Sequence, residues 1–353
     1  MSVKTSTIDL FCGIGGLSYG LKKAGLSIVA GLDLDDSCKY AFEENVQGEF
    51  LSMDIVELDG DEIKKQYWGE NESVKILVGC APCQPFSTHA NKNNRKQSGK
   101  KWYLLNEFKR LIDETKPEIV SMENVPNLAN KQIFKDFVQF LIDKKYFVFY
   151  SNVFCPDYGI PQKRRRLVLL ASKYGDIQLV PKTHTPENYV TVRQAIGDLP
   201  PVSAGEICES DPLHRSRRLA KINLKRIKAS KPNGTWHDWD DELLLACHRK
   251  NTGKTYTAVY GRMAWDEPAS TITTQFFSYG TGRFGHPTQN RALTMREGAL
   301  LQTFPASYKF CEDEKNMSTT QLGIHIGNAV PVDLGFVIGK SIQAHLGKYN
   351  DEK

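Results

Sequence analysis

The sequence predicts a doubly wound α/β domain on a mostly parallel sheet, with a smaller, irregular domain inserted late in the chain. Three observations lead there. Short apolar runs alternate with amphipathic stretches through the first half. A glycine-rich turn stands where the first such run becomes a helix. Past Tyr174 the alternation stops, and signals of the first kind return only near Leu293. Alternating strand and helix is the pattern of parallel strands joined by crossover helices.

Taken in order, residues 6–11 read as a strand and 17–24 as a helix; 28–33, 76–81 and 118–125 are further strands bounded by glycine or proline. Residues 108–114 and 134–143 carry helical spacing. Residues 146–154 and 166–172 have no helix between them, which predicts an antiparallel pair. The later region clusters Pro181, Pro186, Pro200 and Pro201. It then runs from His214 to Lys231 with eight Lys or Arg residues and no acid, followed by Trp236 and Trp239. The expected division is residues 1–174, an inserted domain at 175–287, and a segment 288–353 that completes the first domain.

At 353 residues the chain is long enough for one large and one smaller domain. A hydrophobic share of 40%, a charged share of 25% and a net charge of +5 are ordinary for a globular protein, so composition alone does not demand nucleic acid. No apolar run reads as a bilayer span, and residues 1–7 are too short and polar for a signal peptide. Eight scattered cysteines in apolar contexts read as reduced thiols of a cytoplasmic protein.

Four segments carry chemistry. In residues 9–16 (DLFCGIGG) glycines let a ligand approach the backbone at a helix N-terminus. Asp33 ends the next strand, placed to accept from ribose hydroxyls, and Asp54 ends the short segment after it. The full G-x-G-x-x-G spacing of a dinucleotide site is absent. Residues 79–87 (GCAPCQPFS) hold Cys80 and Cys83. A zinc site would need a second pair, and His89 is the sole local candidate. Cys80 suits a buried structural thiol, whereas Cys83, between Pro82 and Gln84 where the chain turns out of a strand, suits a nucleophile. Glu123 sits at the end of another strand, facing either the same crevice or solvent at a helix start. Residues 162–166 (QKRRR) open a strand, and alternation would put Arg164 and Arg166 on one face.

These pieces, in this order over nearly the whole chain, resemble the cytosine-5 DNA methyltransferases of bacterial restriction-modification systems. The matching motifs are residues 9–16, Pro82 with Cys83 and Gln84, Glu123-Asn124-Val125, and Gln162 with Arg164 and Arg166. Arg296-Glu297, residues 301–305 and residues 327–331 match as well. The resemblance implies a Rossmann-like fold that binds S-adenosylmethionine. Phe11, Gly13, Ile14, Gly15 and Gly16 would line that site, Asp33 would take the ribose, and Asp54 and Ile55 the adenine. Pro82, Leu104 and Asn328 would complete it. Asp33 replaces a frequent Glu, and Leu34 stands where an aromatic often covers adenine.

It further implies that Cys83 adds to carbon 6 of a flipped cytosine while Glu123 works at ring nitrogen 3. Arg166 would contact the base's carbonyl oxygen, Arg164 would lie near the thiolate, and Asn124 would orient the loop of Glu123. The polar segment 91–101 would close over DNA. Gln84, Ser87, Arg95, Lys101, Arg217, Arg218, Thr273 and Arg283 are the expected DNA contacts, within or beside a target-recognition domain. Expected partners are duplex DNA and a restriction endonuclease acting on the same site. The enzyme is expected to act as a monomer, with no metal and no membrane.

Overall fold

The computed structural model describes residues 3–69, 73–82, 103–251, 253 and 256–351. The chain packs as two compact units. The first holds Met1–Tyr158, Arg165–Thr183 and Val330–Lys353; the second holds Gly159–Arg164 and His184–Ala329.

In the first unit strands and helices alternate: β1 (Thr5–Leu10), α1 (Gly16–Lys23), β2 (Ile28–Asp33), α2 (Lys39–Val46), β3 (Glu49–Ser52), α3 (Gly60–Ile63), β4 (Val74–Gly79), α4 (Tyr103–Thr115), β5 (Ile119–Asn124), α5 (Gln132–Asp143), β6 (Phe147–Phe154) and β7 (Arg165–Ser172). The second unit holds α6 (Val192–Ile196), β8 (Ile207–Cys208), β9 (Asp211–Arg215), α7 (Lys221–Ala229), α8 (Met295–Leu301) and α9 (Thr319–Asn328). The chain then returns to the first unit as α10 (Val332–Asp351).

The sheet runs β3-β2-β1-β4-β5-β7-β6. β1 to β5 are parallel, and β7 is antiparallel to both neighbours, as the missing helix between β6 and β7 predicted. Strand order reverses between β1 and β4, so the loops after these two strands open the crevice where doubly wound sheets bind ligands. β1 and β5 are buried along their whole length, although TSTIDL and IVSMEN mix polar with apolar residues. On α4, Leu105, Phe108, Leu111 and Ile112 turn inward at helical spacing. They join β-strand residues such as Leu10, Leu77, Val120 and Leu169 in one core. α1 lies so close to α10 that a Cβ on Gly20 would meet Val332 O at 2.1 Å. β3 and α2 were not legible beforehand, since four residues and a mostly polar octet give little periodicity.

The packing division differs from the expected bounds: residues 159–164 and 288–329 pack with the second unit, and residues 175–183 with the first. Side chains explain the placement of 288–329. Arg296 pairs with Asp211 at 2.6 Å, and Arg291 donates to Val202 O at 3.0 Å. One further difference concerns Thr319–Asn350, which is long and apolar enough to cross a membrane by length and composition. Its apolar window is 67% buried inside the protein, as a core stretch would be.

Candidate active site

The glycine-rich turn begins where β1 ends. Phe11 takes a φ of 63°, Gly13 of 50° and Gly15 of 83°, three left-handed residues in five that fold the backbone into a tight loop before α1. Gly15 caps α1 without a side chain, so no hydroxyl or carboxylate of its own covers the first helical N–H groups. Asp33 accepts from Gly13 N at 2.8 Å and from Asp35 N at 3.0 Å, tying the end of β2 to the loop. The Ile14 and Ile55 side chains are buried, and Gly15 and Gly16 are buried with them. Phe11, Gly13, Asp33, Asp54 and Leu104 are half-buried, and Leu34 stands 71% exposed.

Asp9, which opens the 9–16 motif, is fully buried near the end of β1. Ser18 Oγ of α1 donates to its Oδ2 at 2.5 Å, while Oδ1 is buried without a hydrogen-bond partner. Burial is the main reason its carboxyl is pushed up to about 7; Asp33 adds to the rise and the Ser18 bond opposes it.

The second cluster lies at the C-terminal ends of β4 and β5. Glu123 is 2% exposed at the end of β5. Arg166 Nε of β7 approaches its Oε1 at 2.8 Å, and the Cys80 thiol donates to its Oε2 at 2.9 Å. Asn124 reaches the other way: its Nδ2 donates to Ala81 O at 3.0 Å, and its Oδ1 accepts from Val125 N at 2.9 Å. Asn124 therefore braces the chain leading to Pro82 as well as its own loop. Pro82 is exposed. Cys83, Gln84, Ser87, Arg95, Lys101 and the segment 91–101 lie outside the described residues.

In the second unit Gln162 is the centre of a buried polar network. Its side chain donates to Leu301 O and Gln302 Oε1 at 2.8 and 2.7 Å and accepts from Ile272 N at 3.2 Å. Gln302 passes the network on to Ile326 O and Ala329 O. The Arg164 guanidinium is buried, donating to Ile272 O at 3.1 Å and Ala329 O at 3.4 Å. β7 begins only at Arg165, after a turn in which Arg164 N donates to Gln162 O. Strand alternation therefore does not govern Arg164, and the expectation that it shares a face with Arg166 on that ground fails.

The basic stretch is less uniform than its sequence suggests. Arg215 spends its guanidinium on Pro212, Glu314 and Lys315 carbonyls, and Arg226 on Leu243 O and Asn223. On α7 Ile227 is fully buried and Leu224 partly so, while Ile222 is exposed, so the apolar stripe is narrow. Lys221, Lys225 and Lys228 are exposed at i, i+4 and i+7, one face of the helix. Arg217 and Arg218 are exposed, Arg217 lying 5.1 Å from the Phe277 ring. Trp236 and Trp239 are core residues. Arg283 Nη1 donates to the carbonyls of Asn233, Gly234 and Arg262. Thr273 is half-buried, its peptide packed against Gly327, and Asn328 is exposed at the end of α9.

The model of the C-5 cytosine-specific DNA methylase family matches residues 5–344. This chain belongs to that family. Its relatives include the type II methylase M.HgiDII of Herpetosiphon aurantiacus, 52% identical over 344 residues that span 97% of this chain and 96% of the relative. The type II methyltransferase M.Eco47II of Escherichia coli is 30% identical over 358 residues, covering 98% and 80%. A solved DNA modification methyltransferase encoded within an E. coli prophage shares the fold. It superposes with a TM-score of 0.74 at 21% identity, covering 98% of this chain and 100% of its own.

The protein is thus an enzyme, a DNA cytosine-5-methyltransferase of the restriction-modification type. Within the sheet unit of this methylase, Phe11, Gly13, Asp33 and Leu34 gather around the loop after β1, and Glu123, Asn124, Arg166 and Pro82 around the ends of β4 and β5. Arg164, Thr273, Arg283 and Asn328 belong to the other unit. The contact missed by sequence reasoning is Cys80 to Glu123. Its signal was positional: Gly79 and Met122 are register partners, so the next residues along each strand also face one another.

Proposed function

We propose that this methylase transfers a methyl group from S-adenosylmethionine to carbon 5 of a cytosine flipped out of duplex DNA, through a covalent bond between Cys83 Sγ and carbon 6. The observation that carries the reading is the buried Glu123 carboxylate at the end of β5, held by Arg166 and Cys80, beside the strand whose continuation is Pro82 and Cys83. A carboxyl so placed can share a proton with ring nitrogen 3 while the thiolate adds to carbon 6, which gives carbon 5 enamine character. Arg166 completes the site at the base's carbonyl oxygen. After methylation a base takes the proton from carbon 5, and the carbon–sulfur bond breaks to release Cys83.

The loop after β1 fits the cofactor. Its left-handed backbone, the uncapped start of α1 and the acid of Asp33 suit the carboxylate and hydroxyls of S-adenosylmethionine. When bound, the cofactor supplies the electrophilic methyl group that carbon 5 takes. Phe11, Gly13, Ile14, Gly15, Gly16, Asp33, Leu34, Asp54, Ile55, Pro82, Leu104 and Asn328 are the proposed lining.

Arg217, Arg218 and the α7 lysines are proposed to meet phosphates, joined by Gln84, Ser87, Arg95, Lys101 and Thr273 nearer the target base. Arg283 contributes indirectly by holding residues 233–234. Within this reading the enzyme works as a monomer in the cytoplasm, alongside an endonuclease of matching site. The test is to incubate the methylase with S-adenosylmethionine and either duplex DNA or transfer RNA, then sequence both after bisulfite treatment. Protected cytosines at one recurring DNA site are expected. Protection only in the RNA, or methylation of another base, would overturn the proposal.

A further inference from the structure

We infer that Cys80 is a positioning residue for Glu123: its thiol fixes the carboxyl in the orientation that serves the target base. The inference rests on the proposed role of Glu123 at ring nitrogen 3. Four contacts support it. Cys80 N donates to Leu10 O at 3.3 Å, so its backbone is pinned to the end of β1. From there the thiol donates to Glu123 Oε2 at 2.9 Å. The opposite oxygen, Oε1, faces Arg166 Nε at 2.8 Å. Asn124, the next residue, closes a reciprocal tie to Ala81 O at 3.0 Å, so adjacent residues of the two strand ends each hold the other.

The thiol holds Oε2 by a hydrogen bond, while Oε1 faces the guanidinium charge without a hydrogen bond, so rotation about the last side-chain bond would lose the thiol contact and turn Oε1 away from that charge. The two partners are chemically unequal. Arg166 brings a fixed positive charge. A thiol brings a weak directional donor and no formal charge, so it orients the carboxyl without adding a second cation to it. This gives Cys80 a use separate from the nucleophile three residues later, and a sulfur committed to an acid does not need a metal or a redox partner to explain its presence.

The test measures single-turnover methyl transfer to duplex DNA at saturating S-adenosylmethionine, so that product release does not mask chemistry. The variants are Cys80→Ala, Cys80→Ser, Glu123→Gln and the double variant Cys80→Ala/Glu123→Gln, each checked for its unfolding midpoint. Cys80→Ala should slow transfer about tenfold, the scale of one hydrogen bond to a charged group, with DNA affinity unchanged. Cys80→Ser, which keeps a donor, should recover to within about threefold of the parent. In the Glu123→Gln background the alanine should add less than about twofold, because the two residues act as one unit. Should Cys80→Ala fold poorly, the near-isosteric pair Cys80→Thr and Cys80→Val carries the same comparison, with Thr the faster.

An unimpaired Cys80→Ala beside a slow Glu123→Gln would overturn this inference alone. Serine no better than alanine, or a full additional loss in the Glu123→Gln background, would do the same. A Glu123→Gln enzyme as fast as the parent would overturn the reading of Glu123 itself, and this inference with it.

Discussion

The two units of this methylase bury polar groups for different ends. In the sheet unit the interior is apolar, and buried acids such as Asp9 and Glu123 occur where strands end, at the crevice. The second unit has only short elements between 184 and 329, and it fills its interior with arginines that replace missing secondary-structure bonds. Arg262 alone donates to the carbonyls of Ile227, Ser230, His286 and Gln289 and to the Asn290 side chain. Arg291 forms a bidentate pair with Glu297 at 2.8 and 2.7 Å, both fully buried. Burial alone would raise the Glu297 carboxyl; the Arg291 bonds outweigh it and hold it below the usual carboxylate range. Asp9 and Glu123 lie at strand ends, beside the loops that the motifs occupy. A buried charge satisfied on every side by its own unit holds a loop in place.

The contrast breaks most visibly at Arg291. Arg291→Leu strands the Glu297 charge and should cost about 3–5 kcal/mol in urea unfolding, while Arg291→Leu/Glu297→Leu should recover most of that. A single variant that unfolds like the parent would mean the pair does not hold the second unit together.

Asp9 gives the next effect, with the opposite character. Its carboxyl titrates at about 7 instead of 3.8. The folded state keeps the proton to higher pH than the unfolded chain. This contribution is therefore fully present below about pH 4 and is lost as pH rises through about 7, on the order of a few kcal/mol. Asp9→Asn should flatten that decline in unfolding midpoint between about pH 4 and about pH 7, the span of the shift. A wild-type stability that rises with pH over the same range would remove the raised titration.

Asp33→Ala should weaken S-adenosylmethionine binding by about 10–100-fold in calorimetry, the loss of one or two bonds to a charged group, and leave DNA affinity alone. Unchanged cofactor affinity would take Asp33 out of the site. The smallest effect is expected on the exposed basic face. Replacing Arg217 and Arg218 with alanine should weaken binding to all duplexes alike and lower the salt slope by about two. A change confined to one DNA sequence would instead make them base readers.

The same contrast explains what the sequence could tell. β1, β2, β4 and β5 are legible as short segments containing Ile, Val, Leu or Thr and bounded by turn residues, and the loops that follow carry the motifs. Phe11 to Gly16, Asp33 and Glu123 stand at the ends of those strands or in the loops after them. Arg164 was misread because a turn, not a strand, sets its direction. Arg215 and Arg226 look like DNA contacts in a run of cations, and only coordinates reveal that carbonyls already claim them. Cys80 was read as structural because its partner lies 43 residues away in sequence.

The proposed function turns on Cys83, the residue after Pro82 in sequence, bonding covalently to the target base. The direct measurement is to incubate the methylase with S-adenosylmethionine and duplex DNA carrying 5-fluorocytosine, from which no proton can leave carbon 5. Denaturing electrophoresis and peptide mass spectrometry then locate any adduct. The account predicts a stable protein–DNA complex with the base on the peptide bearing Cys83, lost in Cys83→Ser and kept in Cys80→Ser. An adduct on another residue, or none from an enzyme that methylates ordinary DNA, would contradict it.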